Sequence, residues 1–236
     1  MVSALNQAKG AYVVCPQHYD SEDLFERADL IADITARAAI AAKVPRLVAL
    51  SSVGADRENG TGWIRMNRLF EQRLREAGVP AIFLRAAYFM ENWMPLLGLA
   101  VHSGRLPTFL APAQRAIPMV ATVDVGRTAA ALLQDDGTDT AVVTLTGPKD
   151  YAPDDVAAIV SITLHKPVDV AVLPEAAWPQ ALADAHFSQA ALAGFIEMTR
   201  GLNGPHIDIN SDPGAVGLAG TTTLEQVIAE LIQRQR

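Results

Sequence analysis

Apolar residues in this chain fall into short unbroken runs separated by helix-period segments, and the alternation is clearest between Arg46 and Trp93. The run at 47–50 closes on the paired serines Ser51 and Ser52. A segment at 61–77 follows, with Ile64, Leu69, Phe70 and Leu74 at roughly helical spacing. A second run at 81–85 leads to Glu91-Asn92-Trp93. Short apolar runs bounded by turn residues suit strands covered on both faces, as in a parallel sheet. Strand, helix and strand, with small polar residues at the strand's carboxyl end, is the order in which such a sheet builds a ligand crevice.

The same pattern predicts the neighbouring elements. A first strand is expected at 11–15 and a long helix at 21–42. Ser21 would cap that helix, Glu22 and Asp23 would lie in its first turn, and Leu24, Ala28, Ile31, Ile34 and Ala38 would form its apolar face. Pro45 ends it, residues 56–60 form a surface loop, and Gly78 is placed to cap the 61–77 helix. Beyond Tyr88, helical pieces alternate with connections bearing Pro95, Pro107, Pro112 and Pro118, the texture of a smaller lobe grafted onto a sheet. A helix at 124–133 capped by Asp124, a strand at 141–147, a helix at 154–164 and a strand at 168–173 follow. From Trp178 the chain reads as mostly helical, and Thr222-x-x-Glu225 is a capping-box pattern opening a last helix at 224–232.

The expected fold class is α/β, an incomplete parallel sheet with a smaller, interleaved carboxyl-terminal α+β lobe. Residues 1–87 and 121–147 are assigned to the sheet domain, and 88–120 and 148–236 to the lobe. The sheet is read as incomplete because a dinucleotide-binding sheet opens with a strand, a glycine-rich turn and a helix that holds the pyrophosphate. Residues 1–10 contain one glycine and read as the tail of a helix. The chain is therefore expected to begin partway into a doubly wound domain, short of about two βα steps, roughly 60 residues. On that reading the 11–15 strand becomes an exposed edge that invites self-association, and tight NADPH binding is not expected. Gly214-x-x-Gly217-x-x-Gly220 has phosphate-loop spacing, but no strand follows it to complete a βαβ unit, and it is read as a surface loop.

Composition narrows the function classes. The 236 residues are 50% hydrophobic and 19% charged, enough for a substantial core. Net charge is −7 with dispersed cations, which disfavours nucleic acid as a partner because a phosphate backbone needs clustered Lys and Arg. No apolar run approaches ~20 residues, so no membrane span is expected. The single cysteine excludes an internal disulfide or a thiolate zinc site, and a reducing cytoplasm is the expected location. His18, His102, His165, His186 and His206 have no metal-ligand spacing, and the carboxylates show no close pair.

Candidate chemistry gathers at the strand ends. Ser51 and Ser52 end a strand at the favoured ligand edge, where hydroxyls bond a ribose or a substrate oxygen, or else cap the turn. Arg85, Tyr88 and Asn92 follow the next strand, and Asn92 can orient a carboxamide or an acceptor oxygen. Trp63 and Trp178 read as packing anchors.

In order, Leu50-Ser51-Ser52-Val53-Gly54-Ala55, Thr61-Gly62, Leu84-Arg85-Ala86-Ala87-Tyr88-Phe89-Met90-Glu91-Asn92-Trp93, Ile117-Pro118-Met119-Val120-Ala121-Thr122-x-Asp124-Val125-Gly126, Gly147-Pro148-x-x-Tyr151 and Asn203-Gly204 resemble the NmrA-like family. This is an atypical branch of the short-chain dehydrogenase/reductase superfamily, and the resemblance runs through nearly the whole chain. It implies a Rossmann-like domain that binds NADP or NAD. It also implies, for the full-length form, NAD(P)H-dependent oxidoreductase activity on a small-molecule acceptor, quinone-like or azo-like. A non-catalytic redox-sensing or interaction protein is the alternative, and an inactive fragment a third reading. By the same resemblance, Cys15, Pro16, Ser51, Ser52, Arg85, Ala86 and Tyr88 would contact the cofactor, and Phe89, Asn92 and Trp93 the acceptor. Two features depart from the pattern. The amino-terminal G-x-x-G-x-x-G turn is absent, and Trp63 and Asn67 stand where the superfamily carries its Tyr-x-x-x-Lys pair.

Overall fold

The computed structural model describes residues 1–135 and 141–234. After a one-turn helix α1 (Val2–Leu5), the chain builds β1 (Ala11–Val13), α2 (Leu24–Ala41), β2 (Leu47–Ser52), α3 (Ile64–Glu76) and β3 (Ala81–Ala86). Next come β4 (Tyr88–Phe89), α4 (Met94–Ser103), β5 (Arg105–Thr108), β6 (Ile117–Val120), α5 (Thr122–Gln134), β7 (Ala141–Thr146) and β8 (Asp150–Tyr151). The remaining elements are α6 (Pro153–Leu164), β9 (Asp169–Val172), α7 (Trp178–Ala181), α8 (Gln189–Asn203), β10 (Val216–Ala219) and α9 (Leu224–Gln233).

Five parallel strands form the central sheet in the order β1-β2-β3-β7-β10. Its apolar residues alternate between two faces with the period of an extended chain. Leu47, Ala49, Ala81 and Phe83 point to the side covered by α2 and α3, whereas Val48, Ile82, Leu84, Val143 and Leu145 point to the side covered by α5. Every residue of β3 is buried, as a strand at the centre of such a sheet must be.

The long helix differs from its expected form. α2 starts at Leu24 with Asp23 as its N-cap, and Ser21 donates to Asp23 instead of capping the helix. Its buried face is built mainly from Leu24, Ala28, Ala32, Ala36 and Ala39, while Ile34 is 43% exposed. Small side chains let α2 lie close to its neighbours, so alanines carry the packing that the larger isoleucines were expected to carry.

A separate core cluster lies away from the central sheet. Trp93, Leu97, Leu106, Met119, Tyr151, Val160 and Ile228 pack together among α4, α6 and α9. Short strand pairs support them: β5 beside β9, and β6 between β4 and β8.

Four further expectations are corrected. Residues 216–219 are not a loop: they form β10, which pairs in parallel with β7, and Gly220 N bonds to Thr146 O. Backbone pairing at a sheet edge needs no apolar side chains, so a Gly- and Ala-bearing segment can supply it. Asp124 does not cap its own helix. The first amide of α5, Thr122 N, is taken by Glu91, while Asp124 accepts from Thr222 N. With Thr222 so engaged, the capping box of α9 moves one residue on, to Thr223 and Gln226. The first strand ends at Val13 ahead of Pro16, which has no amide to donate. Among the described residues it pairs only with β2, and Tyr12 and Val14 are 40% and 47% exposed.

Helix α8 is stapled to the sheet domain at several points. Glu22 accepts from Gln189 N and Ala190 N at 2.9 and 3.1 Å, Trp63 Nε1 donates to Ala191 O at 2.7 Å, and Ser188 N donates to Tyr19 O. Gly62, at φ +50°, lies so close to α8 that a Cβ there would fall 1.8 Å from Gly194 O. Gly62→Ala should therefore force α8 away and lower stability by more than about 2 kcal/mol. Urea unfolding followed by far-UV circular dichroism measures this, and an unchanged midpoint would show that α8 tolerates displacement.

Candidate functional site

The carboxyl ends of β2 and β3 carry the candidate residues, and strand register sorts them. Ser51 lies opposite Arg85 and Ser52 opposite Ala86. Ser51 and Arg85 therefore project to the α2/α3 face. There α3 brings up Glu71, which is 1% exposed. Arg85 Nε and Nη2 donate to its two carboxylate oxygens at 2.8 Å each, Arg75 Nη2 adds a third bond at 2.8 Å, and Ser51 Oγ donates at 2.5 Å. Arg85 Nη1 reaches Asp212 Oδ2 at 2.8 Å, and Asp56 stands at 3.8 Å. Burial alone would push the Glu71 carboxyl up. The hydrogen bonds and charge of Arg85, the Ser51 hydroxyl and the charge of Arg75 outweigh it and hold the group below the usual carboxylate range. Two residues expected to meet cofactor thus bind the protein's own carboxylate. Glu71 escaped the sequence reading, although one signal pointed to it: a lone arginine in a buried apolar strand requires a buried partner.

The other candidates occupy more open positions. Ser52 is half-buried and donates to Val53 O at 3.0 Å. Ala86 and Ala87 are buried, so their backbone is what they can offer there. Burial pushes the Tyr88 hydroxyl up to about 12 against a smaller, opposing effect of the neighbouring Asn92 side chain, which is exposed. Phe89 is half-buried against the α5-face core. Trp93, 1% exposed, is a core residue of the cluster among α4, α6 and α9, and its indole N–H has no hydrogen-bond partner among the described residues. At the end of the first strand, Pro16 is exposed, whereas Cys15 is buried with its thiol pushed up to about 11, so it stays protonated at neutral pH. Tyr19 follows it and stacks on Trp63 at 3.8 Å. From Trp63, ring contacts continue through Phe195 to Phe109 and Trp178.

A dinucleotide would bring a pyrophosphate, for which a helix amino end is the usual cradle. The amino ends of α5, α8 and α9 are held by Glu91, by Glu22 with Ser188, and by Thr223 with Gln226. The glycine-bearing turn before α3 lies against the backbone of α8. Acidic Asp23 and Glu26 stand at the start of α2. The amino ends of α5, α8 and α9 and the turn before α3 are thus already engaged by the chain's own groups. A separate cavity of about 520 Å³ opens between α5 and α9 and contains none of the expected site residues. Its arginines are paired within the chain, Arg127 to Asp124 and Arg234 to Glu230.

Glu71→Gln would leave Arg85 facing a neutral amide in a buried site, at a cost of about 3–5 kcal/mol. The depressed carboxyl of Glu71 stabilises the fold above the unfolded-state value, near ~4.3, and this contribution is lost as pH falls through the lower folded value. Stability measured against pH should therefore fall in acid for the natural chain and less steeply for the variant. Parallel acid limbs would show that Glu71 is not the titrating group.

A search of curated protein sequences gave no match. Among solved structures, an NADPH-dependent quinone oxidoreductase from Escherichia coli in complex with NADPH superimposes with a TM-score of 0.73 at 20% identity, over 98% of this chain and 79% of that one. Citrobacter sp. triphenylmethane reductase complexed with NADP(H) gives 0.74 at 18% identity, over 98% and 79%. The leucoanthocyanidin reductase–NADPH complex from Vitis vinifera gives 0.68 at 15% identity, over 94% and 78%. These likenesses establish a shared Rossmann-like fold. The family model for the NmrA-like family matches residues 1–226, and the chain belongs to that family.

Proposed function

We propose that this protein is an NAD(P)H-dependent oxidoreductase acting on quinone-like or azo-like acceptors. The observation that carries the reading is the Tyr88–Asn92 pair at the carboxyl edge of the sheet, beside half-buried Phe89, in a chain of this family and fold. A bound nicotinamide supplies hydride, and the protein supplies orientation, an apolar slot and hydrogen bonds. Ser52, the backbone at Ala86 and Ala87, and Pro16 are the groups proposed to hold the nicotinamide end. Tyr88, protonated at neutral pH, donates a hydrogen bond to the acceptor oxygen or nitrogen on which negative charge collects, and Asn92 orients both partners. Trp93 contributes by fixing the segment that presents Asn92. Ser51 and Arg85 contribute through Glu71, by holding the strand ends in place. Trp63 caps α3 and bonds to α8, so no tyrosine and lysine relay is invoked.

Acceptor-dependent oxidation of NADPH is the direct test. Tyr88→Phe and Asn92→Ala should each lower kcat/KM about tenfold with unchanged circular dichroism. Unaltered rates in both variants would remove the pair from the reaction. Because the amino ends of α5, α8 and α9 are occupied, NADPH should bind more weakly than about 1 μM, and a tighter isotherm would show a pyrophosphate cradle among these residues. Binding with no turnover on any acceptor would favour the alternative of a non-catalytic redox sensor, which the Trp63 and Asn67 positions support.

A further inference from the structure

Arg85 has one hydrogen-bonding edge more than Glu71 can use. Glu71 takes Nε and Nη2 and shares the same carboxylate with Arg75 and Ser51. Two guanidinium cations therefore meet one buried carboxylate, and the remaining positive charge is directed outward through Arg85 Nη1. With its side chain 5% exposed, Arg85 has little access to bulk water, so an anion at Nη1 is strongly favoured. Asp212 fills that place at 2.8 Å, with Asp56 at 3.8 Å in reserve.

The segment carrying Asp212 has little else to hold it. No residue between the end of α8 at Asn203 and the start of β10 at Val216 is buried. From Asp208 to Ala215 the hydrogen bonds close within the segment, apart from the contact with Arg85. Asn210 N and Gly214 N donate to the carboxylates of Asp208 and Asp212, Ser211 N to Asp208 O, and Ala215 N to Asp212 O. Its amino-terminal flank is fixed by His206 on Asn59 O and by Ile207 seated between Gly54 and Gly201. A stretch with few buried contacts and self-contained turns opens at low cost.

We propose that Arg85 Nη1 is an anion-binding point whose resident occupant is Asp212, and that the carboxylate or phosphate of a ligand takes that place, releasing residues 208–215 from the carboxyl edge of the sheet. The strap then works as a displaceable cover: it keeps the buried guanidinium neutralised when no ligand is present, and it uncovers the strand ends when an anionic group arrives. Asp212 is tethered and so present at high effective concentration, and a free anion has to compete with it. This inference does not depend on which acceptor the protein reduces.

Hydrogen exchange of the full chain in sodium phosphate and in sodium chloride at equal ionic strength tests the proposal. Phosphate should speed exchange at 208–215 about tenfold over chloride while the amides of β3 keep their protection. In Asp212→Asn, which keeps the local turn but loses the charge, 208–215 should exchange fast already in chloride, and phosphate should add little. Equal exchange in the two salts in the natural chain would reduce the effect to screening and overturn the proposal, as would a variant whose 208–215 stays fully protected. If the variant lost protection at β3 as well, the comparison of salts in the natural chain would still decide.

Discussion

The carboxylate of Glu71 is the constraint on which the rest of the architecture depends. It is buried on α3, and its two oxygens take hydrogen bonds from a strand residue in each of β2 and β3 and from Arg75 on its own helix. A buried ion pair adds little net stability over a well-packed apolar alternative, but it tolerates almost no misplacement, because separating its members strands a charge away from water. Its contribution is therefore geometric. It sets the height of α3 against the sheet and the ends of β2 and β3 relative to each other, and through Arg85 it reaches the segment that leads into β10.

From that point the molecule divides its labour between the faces of the sheet. The α2/α3 face ends in saturated polar contacts that hold the fold. The segment after β3 instead leaves Tyr88, Phe89 and Asn92 partly open. Helix α8 completes the arrangement by borrowing its amino-terminal capping from Glu22, in the loop after β1, and by accepting Gly62 against its backbone. α8 is thus tied to the α2/α3 face of the sheet.

Much of this order was legible in the residues. Strands β2 and β3 announced themselves as unbroken apolar runs, α3 by its period, and the family by the succession of short motifs from Leu50 to Gly204. What escaped the reading has identifiable causes. The buried face of α2 is made largely of alanines, which carry little weight in a hydrophobic pattern. Strand β10 is held by backbone pairing, which leaves almost no side-chain trace. The roles of Asp124, Glu91 and Glu71 depend on partners 98, 31 and 14 residues away, and no local spacing rule encodes such distances. Ser51 and Arg85 were found as strand-end polar residues, but their position alone could not distinguish a contact to a ligand from a contact to the chain itself.

The aromatic contacts around α8 also determine what light can report about this protein. Of its three tryptophans, Trp63 and Trp178 belong to one ring cluster with Phe195, and Trp93 is sealed in the core among α4, α6 and α9. None lies on a strand of the central sheet. Intrinsic emission therefore follows the contact of α8 with the core on the α2/α3 face of the sheet, against which Trp63 packs, and the separate cluster around Trp93. A shift in its colour on adding a small molecule would signal movement at one of these two places.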